Sequence, residues 1–260
     1  MQYADYIIGK GQVGSAIGAV LKDSSRFIQF VDPDKGLKVE DLVHPSDDMV
    51  RVVHICFPFT NWTFFNDSVR GYATAIPHDA LIIHSTVMPG TCNELSDLKP
   101  IYSPVRGQHD NLEQDLRSYV KYMACEDFDR LVYACNRFAE ANIIVRSMGN
   151  DVKTLEWTKH ISNTLYYHWM IGYRQMVHQW CEELWLDEEA LWSFTQELHA
   201  KTGIQYPSYF DPKGVGGHCV LQNTQMLTRM SNKPDSMCAI LDLLMFVNDQ
   251  VLEEKCHGAD

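Results

Sequence analysis

Apolar positions in the first half of the chain come in short unbroken runs, whereas in the second half they recur every three or four residues. Tyr6, Ile7 and Ile8 form one run that ends in glycine, residues 16–21 then show helical spacing, and residues 27–31 form a β-rich run ending in Asp32. Strand, tight turn, helix and strand in this order spell a βαβ unit. Further runs at 52–57, 80–84, 100–102 and 141–145 predict additional strands, with a helix at 127–139 between the last two. Strands this continuously apolar suit a parallel sheet covered on both faces.

Between 151 and 185 there is no proline and only Gly172, while Ile161, Leu165, Trp169, Tyr173, Met176, Trp180 and Leu184 repeat at helical spacing. This predicts one long helix. Its other faces also carry bulk, including Leu155, Tyr166, Val177 and Trp185, so it needs neighbours, among them a second subunit. Residues 187–199 and 234–254 read as two more helices, separated by a loop at 203–217 that contains glycine and proline. The expected architecture is α/β: an N-terminal Rossmann-like doubly wound parallel sheet over 1–150, then an all-helical domain over 151–260 with a long central helix. A homodimer is expected through 151–185.

Composition narrows the function classes. Hydrophobic residues at 45% and charged residues at 22% describe an ordinary globular protein. A formal charge of -12 argues against a nucleic-acid binder, whose affinity rests on clustered Lys and Arg. Eight cysteines without a CxxC pair fit a reducing compartment. The sequence shows neither a cleavable leader nor a membrane-spanning run, so the cytoplasm is the expected location.

Gly9-Lys10-Gly11-Gln12-Val13-Gly14 is a GxGxxG placed directly after a strand and before a helix, the context that gives this pattern its meaning. The first glycine makes the turn, the second lets the backbone approach a pyrophosphate, and the third allows close helix packing; the backbone of Gln12 and Val13 opens the helix whose N-terminus faces the phosphates. Asp32 ends the second strand, where a carboxylate accepts from ribose hydroxyls and repels the extra phosphate of NADP. NAD is therefore the expected cofactor. Asp34 is the alternative ribose contact, although it also reads as a surface turn.

Other candidates lie where strands end or on the long helix. Pro58 follows the third strand; Ser85 and Thr86 follow the fourth, where hydroxyls either bind cofactor and substrate or cap the next helix. His84 reads as a structural histidine. Lys159 and Asn163, four apart, suit holding a substrate oxygen and a neighbouring hydroxyl, with a solvated helix face as the other reading. Cys219, in Gly214-Val215-Gly216-Gly217-His218-Cys219, is a candidate nucleophile or a structural thiol. No metal site is expected there, because adjacent His218 and Cys219 chelate poorly.

Taken in order, these motifs resemble the UDP-glucose/GDP-mannose dehydrogenase family, within the 6-phosphogluconate and hydroxyacid dehydrogenase superfamily. The dinucleotide loop at 9–14, the STVPPGT-like 85–91, Ser103-Pro104, Lys159 with Asn163, and the cysteine loop at 214–219 all fall in family order. The resemblance implies oxidation of a sugar or nucleotide-sugar alcohol by NAD to an aldehyde, capture by Cys219, a second oxidation to a thioester, and hydrolysis. Lys159 and Asn163 would stabilise the oxyanion, and Thr86 would position a water or hydroxyl.

Three departures stand out. The family glutamate after Ser-Pro is Val105, its Lys-Asp pair after the cysteine is Gln222-Asn223, and its C-terminal nucleotide-binding domain is not in this sequence, which is read as a short form. Four-electron oxidation is thereby in question. Arg106, Lys121 and Lys201 read as surface charges, or else as substitute contacts for an anionic substrate. The rival functions are a small hydroxyacid dehydrogenase using Lys159, and a catalytically impaired NAD-binding protein.

Overall fold

The computed structural model describes residues 2–24, 27–46, 48–107, 109–203, 215 and 220–257. The chain divides into two compact units, 1–159 and 160–260.

The first unit is built on a five-stranded parallel sheet in the order β2-β1-β3-β4-β5. Its strands are β1 (Tyr3–Ile8), β2 (Phe27–Val31), β3 (Val50–Ile55), β4 (Ala80–Ile83) and β5 (Ile101–Tyr102). Strand side chains alternate between faces, and the core divides accordingly. Ile7, Val52, Ile82 and Ile101 pack under α1 (Gln12–Lys22), α4 (Leu112–Ser118) and α5 (Phe128–Glu140). Tyr6, Ile8, Val53, Ile55, Leu81 and Ile83 pack on the other face with Phe65 and Val69 of α2 (Trp62–Ala75) and with Val152 and Leu155 of α6 (Val152–Thr158). The chain therefore forms a doubly wound α/β sheet from β1 onwards, and the fold reverses direction between β1 and β3, where such sheets place their ligand crevice.

Two strand expectations shift. A short β6 (Lys121–Met123), unforeseen in the sequence, pairs with β7 (Val145–Ser147), which begins where the strand expected at 141–145 was to end. Asn142 at φ 59 turns the chain just before it, so the apolar residues there form the turn after α5 rather than a strand.

The single long helix expected at 151–185 is three segments. After α6 comes a π-helical stretch, Lys159–Leu165, and then α7 (Tyr166–Leu184). A π turn carries an extra residue per repeat and is frequent at functional sites. Apolar residues at unbroken helical spacing do not reveal it, because those on both sides of the insertion, such as Leu155 and Ile171, are still buried.

In the second unit, α7 packs with α9 (Val220–Thr228) and α10 (Asp235–His257), and with α8 (Glu188–Thr202) through Val177, Cys181 and Trp192. Arg174 stacks on the Trp192 ring at 3.7 Å, while Glu188 accepts from the Trp192 indole at 2.9 Å. Among the described residues no helix is long and apolar enough to cross a membrane.

Candidate functional site

The carboxyl ends of the five parallel strands gather the candidate residues of the first unit. Gly9, at φ 93, turns the chain out of β1, and a Cβ there would stand 3.0 Å from the backbone nitrogen of Phe57. Gly14 is tighter still: its Cβ would lie 1.8 Å from the carbonyl oxygen of Gly9. Gly11 has the opposite surroundings, with nothing within 4 Å of a Cβ. Two glycines thus close the loop on itself, and the third, at the head of α1, bares its backbone on an open side. That is the cradle a pyrophosphate needs. Gln12 is exposed and Val13 half-buried as α1 begins.

Asp32 sits across the loop, its Oδ2 accepting from the Lys10 backbone N–H at 2.7 Å. Lys35 donates to the Lys10 carbonyl, so the loop is held from both sides. Asp32 Oδ1 has no hydrogen-bond partner among the described residues and is the acceptor available to a ribose hydroxyl. Asp34 is exposed in the 3-10 turn that follows.

Pro58 is exposed just after the third strand. Ser85 is buried, and its hydroxyl donates to the Phe57 carbonyl at 2.5 Å, which ties the loops after β3 and β4 together. Thr86 is half-buried beside it. Neither hydroxyl caps the helix that follows, α3 (Thr91–Glu94). That role belongs to Glu156 of α6, whose Oε2 accepts from Gly90 N–H at 2.7 Å and Oε1 from Cys92 N–H at 2.9 Å. Burial pushes the Glu156 carboxyl up from its ordinary value, and the two amides pull against that. Sequence reading missed Glu156, since the only signal was one acid among the apolar positions of a helix.

Lys159 is buried, with its ammonium donating to the Val105 carbonyl at 2.8 Å. The solvated helix face is therefore not its environment. Val105, the residue after Ser103-Pro104, packs its side chain against the apolar core. Lys159 falls in the first unit and Asn163, half-buried, in the second. Cys219, with Gly214, Gly216, Gly217 and His218, lies outside the described residues. The described residue nearest before it, Val215, donates its backbone N–H to Asn248 Oδ1 at 2.8 Å. Gln222 is exposed and Asn223 buried on α9.

Of the three cations read as surface charges, Arg106 is exposed and Lys201 pairs with Glu197 at 2.5 Å. Lys121 overturns the expectation: it is only 4% exposed, with its amine 3.0 Å from the Ser103 carbonyl and 3.2 Å from His84 Nδ1. It heads a buried row of polar groups. His84 Nε2 lies 3.0 Å from His54 Nδ1, His54 Nε2 lies 3.0 Å from Asp5 Oδ1, and Arg137 grips Asp5 through contacts of 2.7 to 3.0 Å. His84 is fully buried within this row.

Comparison with solved structures bears on the fold. UDP-D-ManNAc dehydrogenase from Pyrococcus horikoshii superposes with a TM-score of 0.74 at 14% identity, over 95% of this chain and 68% of that one. The fold is that of these dehydrogenases. A UDP-glucose dehydrogenase from Pyrobaculum islandicum matches with a TM-score of 0.72 at 15% identity, over 99% of this chain and 72% of that one. A 3-hydroxyisobutyrate dehydrogenase from Mycobacterium tuberculosis matches with a TM-score of 0.65 at 14% identity, over 100% of this chain and 96% of that one. The chain spans about two thirds of the length of the UDP-ManNAc dehydrogenases it matches. No family model and no curated protein matches the sequence.

Proposed function

We propose that the chain is an NAD-dependent dehydrogenase that oxidises an alcohol of a sugar or nucleotide sugar. The observation that carries this reading is the open backbone at Gly11 between two closed glycine contacts, beside the available Oδ1 of Asp32. Gly9, Gly11, Gln12, Val13 and Gly14 would hold the pyrophosphate, Asp32 the adenosine ribose, and Pro58, Ser85 and Thr86 the nicotinamide half. NAD, when bound, supplies the hydride acceptor. Lys159 is proposed to hold the substrate oxygen as its proton leaves, Asn163 to bind a neighbouring hydroxyl, Thr86 to place a water or hydroxyl, and Cys219 to act as nucleophile on the aldehyde.

A second reading is a single two-electron oxidation of a small hydroxyacid, with Cys219 a bystander. It is favoured by Val105, which offers Lys159 a carbonyl and an aliphatic side chain where a hydrolytic base would be needed. Counting NADH per substrate consumed over a panel of UDP- and GDP-sugars, simple sugars and hydroxyacids separates the two. Two per substrate is the expected result on a sugar nucleotide if Cys219 acts, and Cys219→Ser then abolishes acid formation. One, unaffected by that substitution, supports the second reading. No turnover on any alcohol while NAD still binds overturns both and leaves a binding protein.

The protein is further proposed to form a homodimer through 151–185. Exposed Tyr166, Tyr167, Trp180, Leu184 and Trp185 on or just beyond α7 are the kind of apolar surface that a partner covers. The expected light-scattering mass is twice the 29.9 kDa of the chain. A mass of one chain at micromolar concentration would sink the dimer. We place the enzyme in the cytoplasm, where thiols such as Cys56, Cys92, Cys125 and Cys181 stay unpaired.

A further inference from the structure

Two lysines meet one short segment of backbone. Lys121 donates to the carbonyl of Ser103, and Lys159 donates to the carbonyl of Val105, two residues on. The same segment is held to the end of β4, because Val105 N–H donates to the His84 carbonyl at 3.2 Å. Lys121 also contacts the His84 ring, so its amine bridges the two strand ends that flank Lys159's anchor.

Hydrogen-bond accounting along the buried row gives Lys121 a particular state. Burial by itself would raise the Asp5 carboxyl, but His54 and Arg137 outweigh it and keep Asp5 ionised, hence an acceptor only. His54 must then donate from Nε2, which leaves its Nδ1 bare. His84 donates to that atom from Nε2, so its own Nδ1, which lies 3.1 Å from the Ser103 carbonyl and 3.2 Å from the Lys121 amine, carries no proton and accepts from the amine. Burial outweighs the Asp5 carboxylate at His54 and the Ser103 carbonyl at His84, and keeps both rings neutral. The row therefore ends in two acceptors for Lys121, His84 Nδ1 and the Ser103 carbonyl. An uncharged amine has two N–H groups and satisfies both. Protonation adds a third donor and a charge in a site where the facing acid is the Cys56 thiol rather than a carboxylate. The groups around the amine are His84 from the end of β4, His54 and Cys56 from β3, Phe138 of α5 with its ring centroid at 5.0 Å, and Lys159; Asp5 and Arg137 lie beyond His54.

We propose that Lys121 is a positioning residue for Lys159: it clamps the 103–105 backbone that anchors Lys159 and, in its two-donor amine form, adds no positive charge beside it. This rests on the dehydrogenase reading for its catalytic meaning but not for its physics. Burial first, opposed by Cys56 and joined by Lys159, brings the Lys121 amine down to about 7, so its charge appears as pH falls through that value and the uncharged form predominates above it.

The test follows lysine side-chain carbon and nitrogen shifts against pH in protein labelled at lysine, together with the pH profile of NADH formation. In the wild type one lysine is expected to titrate at about 7, and its signal is absent from Lys121→Met. In Lys159→Met that midpoint moves to higher pH, since a neighbouring cation is gone. In turnover, an acid-side inflection near the same pH disappears in Lys121→Met. A Lys121 that titrates with the other lysines, or is unmoved in Lys159→Met, overturns the proposal. Should Lys121→Met not fold, the midpoint in wild type and Lys159→Met decides alone. Absence of turnover with the coupled titration intact sinks the dehydrogenase reading only; turnover without coupling sinks only the role of Lys121.

Discussion

Replacing Arg137 by Met is expected to destabilise the first unit by about 3–5 kcal/mol, the range for breaking a buried ion pair from one side. Arg137 and Asp5 are both fully buried. The guanidinium reaches both Asp5 oxygens and also donates to Ser24 Oγ at 2.8 Å and to the Leu21 carbonyl at 3.1 Å, so it fastens α5 to β1 and to the end of α1. Methionine fills much of the volume but leaves a carboxylate in the core beside His54, without the guanidinium charge. The pH dependence has a definite sign. Asp5, held below the usual carboxylate value, stabilises the fold above its unfolded pKa, and that stability is lost as pH falls through the lowered value. In Arg137→Met burial dominates, the Asp5 carboxyl rises, and acid unfolding moves to higher pH. Urea unfolding at several pH values measures both effects. A loss under about 0.5 kcal/mol, within the range of ordinary surface changes, would mean that the ion pair is not what holds α5.

Gly14→Ala and Gly11→Ala are expected to separate stability from cofactor binding. At Gly14 the new methyl falls 1.8 Å from the Gly9 carbonyl oxygen, and backbone cannot yield as a flexible side chain does. Either α1 moves away from β1 or the loop opens, at the ~1–3 kcal/mol typical of overpacking. Binding of NAD should weaken by at least about tenfold, equivalent to ~1.4 kcal/mol. At Gly11 the methyl meets nothing, so the thermal midpoint should stay at the wild-type value while NAD affinity still falls, because the methyl occupies the space through which the backbone meets the pyrophosphate. Calorimetric titration with NAD beside thermal unfolding reads both. Unchanged affinity in Gly11→Ala would show that the dinucleotide does not sit on this loop.

The sequence by itself determined what depends on neighbours along the chain. The β1–α1–β2 order, the glycine loop, Asp32 at a strand end and the helical second half were all legible, because strand runs, helical spacing and turn residues are local patterns that hydrophobic burial then enforces. Only the tertiary structure decided which isolated polar residues belong together. Lys121 lies in a strand of three residues, too short for its alternation to mark an inward face, and so read as surface charge. Asp5 and Arg137 are 132 positions apart, and Glu156 reaches amides more than sixty residues away. The π-helical turn that carries Lys159 leaves the apolar periodicity unbroken. A buried charge is tolerated only where distant segments supply its partners, and the identity of those partners is set by which strand ends and helices the packed sheet brings side by side.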